Sequence, residues 1–317
     1  FTAFSASEFI NRHCFAPCVY RIREEYSHNH SQSQTTMILS FHPCFTADHQ
    51  IILGDRSLNE ADRQLIRSAH AVILHQGRAE GVFHECHNAG TPTFPNYEMR
   101  HAYPGKVGQS RLFHAFQLPH PRTFRWRRVD LFNKVPRPPH EFPFVVKDDG
   151  SHEAEGVFVV TGPKSLKAAL GFLALKEGGG NNGFVTQDFV ASGGNVLRSV
   201  ILGKQILTYW KRPVKPGQVI TTISRGARID HDWEPALQEK GKVQAQLLAG
   251  RTGIDLAAVD FVFPLSKEDP EPLFLEINYF FGRRGLGGMD AYYRLLFSAI
   301  QDWVKGIGLS PETVELV

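Results

Sequence analysis

From Met37 onward the apolar positions switch between two periods. The run MILSF is followed by LNEADRQLIRSA, in which Leu58, Ala61, Leu65 and Ile66 recur at helical spacing, and then by the apolar HAVILH. That order predicts strand, helix, strand. A second helix is predicted over 79–88, stopped by Gly90 and Pro92, with a short strand over 91–95. The alternation implies a small α/β unit of parallel strands over residues 37–100. Residues 1–36 end in the polar SHNHSQSQTT, a composition that buries too little to form a core. They are expected to be a flexible appendage, with a short amphipathic helix open over 8–22.

Further along, Lys106 opens a predicted helix that ends near Phe116, and FPFVVK predicts a strand closing at Lys147. A glycine-containing loop leads to a second strand from Val157. A helix follows from Pro163, with Leu166, Leu170 and Leu173 on one face, and GGGNNG ends it. Then come the strand FVTQD, an alternating strand carrying Arg198 that closes at Gly203, and another closing at Arg212. A helix is predicted from Trp233 to Thr252. The final helix, 289–305, aligns Tyr292, Leu296, Ala299 and Trp303 as a packing stripe.

Between those last helices lie two apolar runs, 256–263 and 272–278, separated by the charged, proline-containing PLSKEDPEP. They read as an antiparallel strand pair joined by an exposed loop. Strict alternation would send Leu273, Leu275 and Ile277 to a core and Phe274, Glu276 and Asn278 to the other face. Glu276 and Asn278 would then stand about 6–7 Å apart at the α carbon, and Asp260 could join them from the neighbouring strand. Three oxygen donors with few charges suit a magnesium ion that keeps other positions for water and phosphate, with manganese as an alternative. Asp260 taken alone reads more readily as a carboxylate paired with surface cations, whereas the D-F…E-I-N set as a whole reads as the metal site.

The D-F…E-I-N set, with the order of lysines and arginines before it, resembles the ATP-grasp superfamily over about 95–304. The resemblance is to the branch of ribosomal-protein glutamate ligases and, more loosely, to glutathione synthetases. It implies an α/β (α+β) ATP-grasp fold: a preceding α/β domain over 37–100, then 101–317 as two α+β subdomains that sandwich ATP, the smaller over about 120–190. It also implies that Lys106 and Lys147 contact the nucleotide and that Gly150, Ser151 and Gly156 belong to a loop over the phosphates. The segment Gln187, Asp188, Phe189 and Val190 would meet adenine, and Asp260, Glu276 and Asn278 would hold magnesium. Arg198 and Arg212 match the family's arginines that clamp phosphate or carboxylate, and Arg283 is an added cation beside the presumed γ-phosphate. The implied reaction joins a small-molecule or peptide carboxylate to an amine at the expense of ATP, through an acyl phosphate. A kinase of the same fold and a nucleotide-binding protein without turnover are the alternatives.

Residue by residue, blander readings stay open: a solvated lysine at 106 and strand-surface arginines at 198 and 212. The acidic Asp148, Asp149, Glu153 and Glu155 depart from the family's loop pattern. Arg284, Arg225 and Arg228 would join Arg283 in orienting an anionic acceptor.

Composition narrows the rest. The 317 residues are 42% hydrophobic, enough for a sizeable core, and the formal charge of +3 is too mild to imply nucleic acid. The basic run Arg122–Arg128 reads as an exposed strand or linker. Four cysteines at irregular spacing make no disulfide framework, so reduced thiols in a cytoplasm are expected. Neither His13 with Cys14 and Cys18 nor the run 84–87 has zinc-knuckle spacing. No apolar run reaches the roughly 18 residues of a membrane span. A homo-oligomer is left open. A chain beginning at Met37 is expected to melt where the full chain does, and a large fall in melting temperature would contradict the reading of 1–36 as an appendage.

Overall fold

A computed structural model describes residues 36–77, 80–151, 155–177, 183–215, 217–222 and 226–317. The expectations for 1–35, and those for Glu153, residues 178–182 of the GGGNNG break and Arg225, fall outside the described residues.

The first sheet is short-stranded and parallel. It comprises β1 (Ile38–Ser40), β3 (His49–Gln50), β4 (Ala71–Ile73) and β5 (Thr93–Phe94) in the order β3-β1-β4-β5, while β2 (Phe45–Thr46) pairs with the last strand of the chain. Helices α1 (Glu60–Ser68) and α2 (Glu80–Ala89) connect β3 to β4 and β4 to β5. Asn59 starts α1 with a capping box, its side chain taking the Asp62 N–H while Asp62 takes that of Asn59. Alternation along β1 and β4 sends Leu39 and Val72 into a core with Ile66, Phe83 and Cys86. Ile38, Ala71 and Ile73 go to the opposite core. Cys86 is thus buried, and His84, two positions earlier, turns instead toward Glu80. Two helices, α3 (Glu98–Ala102) and α4 (Gly105–Ala115), lead out of this unit.

The second sheet is antiparallel, β6-β9-β7-β8, built from β6 (Thr123–Trp126), β7 (Phe144–Asp148), β8 (Val157–Val160) and β9 (Phe184–Asp188). Helices α5 (Val129–Asn133) and α6 (Pro163–Glu177) cover one face through Val129, Phe132, Ala169 and Leu173. The basic run at 122–128 is therefore largely an edge strand. Val145, Val159 and Val185 are left on the uncovered face.

The third sheet, order β12-β11-β10-β13-β14, is also antiparallel: β10 (Val196–Leu202), β11 (Gln205–Arg212), β12 (Arg228–Asp230), β13 (Leu256–Val262) and β14 (Leu273–Asn278). Helix α7 (Pro235–Thr252) and α4 pack on one face. Gly241 lets α7 come close, since a Cβ there would stand 2.3 Å from Leu197 Cδ2. Helix α8 (Met289–Gly306) packs on the other face through Tyr292, Leu296 and Ala299, with Trp303 partly buried beside them, as its apolar stripe predicts. Strand β15 (Glu315–Leu316) then returns to β2. None of the described helices is long and apolar enough to cross a membrane.

In β14 the strict alternation fails, for a local reason. Asp260 pairs with Glu276 while Phe261 pairs with Phe274, so Leu275 is an extra residue with no partner. This β-bulge reverses the parity of the strand before it. Phe274, expected to face away from the core, is fully buried against Phe113 and Phe261. Leu275, expected in the core, lies beside Glu276 on the opposite side. Phe274→Ala is therefore expected to cost about 3–5 kcal/mol of unfolding free energy in urea. Leu275→Ala should cost well under half of that, and the reverse ranking would restore uninterrupted alternation.

Candidate functional site

The uncovered face of the second sheet and one end of the third enclose a cleft with about 1100 Å³ of empty space, open solvent at its mouth included. Its apolar walls are Val145, Val159 and Val185 on one side and Val262 and Leu275 on the other. Gln187, Asp188, Phe189 and Val190 line one end of this slot. Gln187 Nε2 donates to Thr123 Oγ1 at 2.9 Å. Asp188 accepts from Arg122 Nε and Nη2, both at 3.1 Å, and lies 2.6 Å from His140 Nδ1. Burial works to raise the Asp188 pKa, but Arg122 and His140 hold it below the usual carboxylate range. The other nitrogen of the buried His140 lies 2.9 Å from Thr186 Oγ1, which also receives the Trp126 indole N–H at 3.0 Å. The Asp188 carboxylate thus anchors the end of β9.

At the other end stand two lysines. Lys106 Nζ donates to the Ser151 carbonyl and lies 3.9 Å from Glu276 Oε1. Lys147, at the end of β7, is 7% exposed. Burial pushes its ammonium pKa down to about 8, with Glu276 opposing that shift and Lys106 adding to it. Gly150 is exposed, while Ser151 and Gly156 brace the base of the loop. Ser151 Oγ donates to Asp148, and a Cβ on Gly156 would stand 2.5 Å from Ser151 Oγ.

Two of the acids that depart from the expected loop pattern, Asp148 and Asp149, have structural work. Asp149 Oδ1 accepts the Val107 N–H at 2.7 Å, so a carboxylate from the second sheet caps the N-terminus of α4. Burial raises its pKa against that hydrogen bond. Gly105 makes the contact with φ +66°, and a Cβ there would lie 2.3 Å from Asp149 Oδ1. From the same helix, Gln109 pairs with β14 as a strand would: its Nε2 donates to the Ile277 carbonyl at 2.7 Å and its Oε1 accepts the Ile277 N–H at 2.9 Å.

Charge on the third sheet centres on Asp260, which is 4% exposed. Arg198 is its cross-strand partner, and Arg198 Nε and Nη2 donate to its two oxygens at 2.8 Å each. Lys211 Nζ donates to Oδ2 at 2.8 Å and Asn278 Nδ2 to the same oxygen at 3.3 Å. Burial alone would raise the Asp260 pKa, but Arg198 and Lys211 overcome it and hold the carboxyl well below its usual range. Asp260 is therefore a carboxylate paired with two cations, but with buried ones and not the surface cations of the bland reading.

Two of the expected catalytic arginines lie elsewhere. Arg212 follows Lys211 in β11 and so faces the opposite side, where its Nη1 donates to Asp230 at 2.8 Å and its Cζ lies 4.1 Å from the Trp233 ring. Lys211 lines the cleft instead. Sequence reasoning missed it because adjacent cations can be told apart only once the register is known. Arg228 also pairs with Asp230, at 3.1 Å. Arg283 rests on the rings of Tyr292 and Tyr293, outside the cleft walls.

No family model matches the chain. Over 168 residues, 52% of this chain, it is 26% identical to a curated protein of Hahella chejuensis (strain KCTC 2396) named probable alpha-L-glutamate ligase 2. The match spans 51% of that protein, about half its length. Among solved structures, the RimK domain protein ATP-grasp from Sphaerobacter thermophilus DSM 20745 is 15% identical with a TM-score of 0.55, over 84% of this chain and 99% of that one. D-alanine–D-alanine ligase from Bacillus anthracis, also 15% identical with a TM-score of 0.55, covers 80% and 86%. Likeness at these identities establishes the fold, which is that of the ATP-grasp ligases.

The burial pattern separates the carboxylates by stability. Asp260→Asn leaves Arg198 and Lys211 without their charge partner and is expected to cost about 3–5 kcal/mol in urea unfolding. Glu276, whose side chain is 36% exposed, should tolerate Gln within about 0.5 kcal/mol. Equal losses for the two would refute the assignment of Asp260 as the buried partner of both cations.

Proposed function

Because the chain has the ATP-grasp fold, we propose that it is an ATP-dependent carboxylate–amine ligase, with the cleft as its nucleotide site. The observation that supports this most is the convergence, between two sheets, of an apolar slot with Lys106, Lys147, Asp260 and Glu276. The slot would take adenine between the valines of the second sheet and Val262 and Leu275. Backbone groups of Gln187, Asp188, Phe189 and Val190 would read its edge, and Lys106 and Lys147 would meet the phosphates. Gly150, Ser151 and Gly156 would shape the loop above them.

The donor set is compatible with magnesium, or manganese. Glu276 faces the cleft, Asn278 uses its Nδ2 on Asp260 and so keeps its carbonyl oxygen free, and Asp260 Oδ1 has a lone pair beyond the Arg198 bond. When bound, the ion would neutralise phosphate charge. Asp260 would contribute through one oxygen only, its main partners being cations.

Around that site the chain's own groups would position and neutralise. A carboxylate oxygen of the acid attacks the γ-phosphorus as the bond to the ADP oxygen breaks, giving an acyl phosphate. Lys147 and Lys106 stabilise the phosphoryl charge from the second-sheet side, and Arg198 and Lys211 carry net positive charge on the other. The amine then attacks the acyl carbon, phosphate leaves and the amine loses its proton. Arg212, tied to Asp230, would act only by holding β12 and α7 in place. The acceptor partners would be small-molecule or peptide carboxylates and an amine.

With hydroxylamine as the amine, the protein, ATP and magnesium should convert a suitable acid to its hydroxamate with one ADP released per turnover. Glu276→Gln should cut the rate at least about a hundredfold while keeping the melting temperature. ATP-dependent formation of a stable phosphorylated alcohol without hydroxamate would replace the ligase by the kinase.

A further inference from the structure

The run 84–87 consists entirely of residue types that ligate metals, and the fold of α2 separates them. Cys86 is fully buried in the core of the first unit, Glu85 lies beside Arg63 and Arg67, and His87 stacks on Phe83 with ring centroids 5.9 Å apart. His84 turns toward other partners. Glu80 stands one helical turn before it, at i and i+4, and His101 arrives from α3. His84 Nε2 lies 3.8 Å from Glu80 Oε1, and His101 Nδ1 lies 4.0 Å from the same oxygen. The ligand atoms of the three residues all lie within 4.8 Å of one another, and the two imidazole centroids are 4.9 Å apart.

Neither of those nitrogen–oxygen distances is a hydrogen bond. His101 Nε2 is buried with no hydrogen-bond partner, so its ring can make a polar contact only through Nδ1, on the Glu80 side. Packing fixes this ring. It stacks on the buried Phe83 with centroids 5.0 Å apart and planes 22° apart, and Tyr97 meets it edge-on at 6.4 Å. Glu80 and His84, with side chains 76% and 51% exposed, are free to rotate toward it. Burial, with His84 close by, lowers the His101 pKa, Arg100 adding to that shift and Glu80 opposing it. The neutral ring offers a nitrogen lone pair at neutral pH.

Two imidazoles and one carboxylate are the donor set of a three-ligand zinc site whose fourth position takes water. Zinc–ligand bonds of about 2.0–2.2 Å put neighbouring donors about 3.3–3.5 Å apart, so modest rotations of Glu80 and His84 close the triangle on an ion seated against His101. Nitrogen donors also favour zinc and its borderline neighbours over magnesium, which keeps to oxygen.

We propose that Glu80, His84 and His101 form a zinc-binding site between α2 and α3. None of the three lines the nucleotide cleft. Zinc there ties α2 to α3, from which the chain passes directly into α4 and Lys106, so the ion clamps the exit of the first unit.

The test is a calorimetric titration of zinc into the full chain after chelator treatment, in millimolar magnesium. One equivalent is expected to bind with a micromolar or tighter Kd, and the melting temperature should rise as it fills. His84→Ala and Glu80→Gln alter exposed side chains, and His101→Phe keeps the stack on Phe83, so each should fold. Each should also weaken zinc binding, the two histidine variants by at least about a hundredfold. His87→Ala, which changes a neighbour outside the triangle, and Glu276→Gln, which changes the cleft, should leave the affinity as it was. Zinc taken up equally well by His84→Ala and His101→Phe, whether through Cys14 and Cys18 or through the cleft carboxylates, would overturn the site. So would binding that needs millimolar zinc, or a loss in His87→Ala equal to that in His84→Ala.

Discussion

The Asp260 carboxylate, held between Arg198 and Lys211 on a buried sheet face, is the interaction on which the cleft depends. One negative charge between two positive ones leaves the group net cationic, in surroundings that screen poorly. Burying three charges is tolerable because both cations donate directly to the Asp260 carboxylate, through three hydrogen bonds of 2.8 Å. The arrangement also fixes geometry. Arg198 and Asp260 are register partners on adjacent strands, so any slip of β10 against β13 would break both hydrogen bonds at once. The positions of Asn278 and Glu276 follow from that register, since β14 pairs with β13.

Much of this was legible in the sequence wherever a period was clean. The helices at Glu60–Ser68, Gly105–Ala115 and Met289–Gly306 fall where apolar spacing and terminal signals place them, and the antiparallel pair at the end of the sheet follows from its two apolar runs. What failed was parity. A single unpaired residue, Leu275, reverses which side chains of β14 before Glu276 face the core, and nothing in LFLEIN announces it. The same limit applies to Lys211 and Arg212, neighbours of equal charge whose faces are set by a cross-strand partner more than ten residues away. Long-range caps are equally silent. Asp149 was readable only as a departure from a loop pattern, because the helix it caps begins over forty residues earlier.

These failures share a cause. Local propensity fixes elements, but strand register and caps between distant segments are decided by tertiary fit. Arg283 illustrates the converse: its residue type was conspicuous in YFFGRRGLGG, yet where its guanidinium rests, on the rings of Tyr292 and Tyr293, is set by the helix that follows.

The Gln109 amide has a consequence for assembly. Strand β14 is the last in its sheet, and an outermost strand offers unpaired backbone groups to any extended chain that comes near. By satisfying both the N–H and the carbonyl of Ile277, one side chain occupies the place that an intruding strand would need. Helix α4 then covers the same border. The sheet ends at the strand bearing Glu276 and Asn278, shielded there against edge-to-edge aggregation.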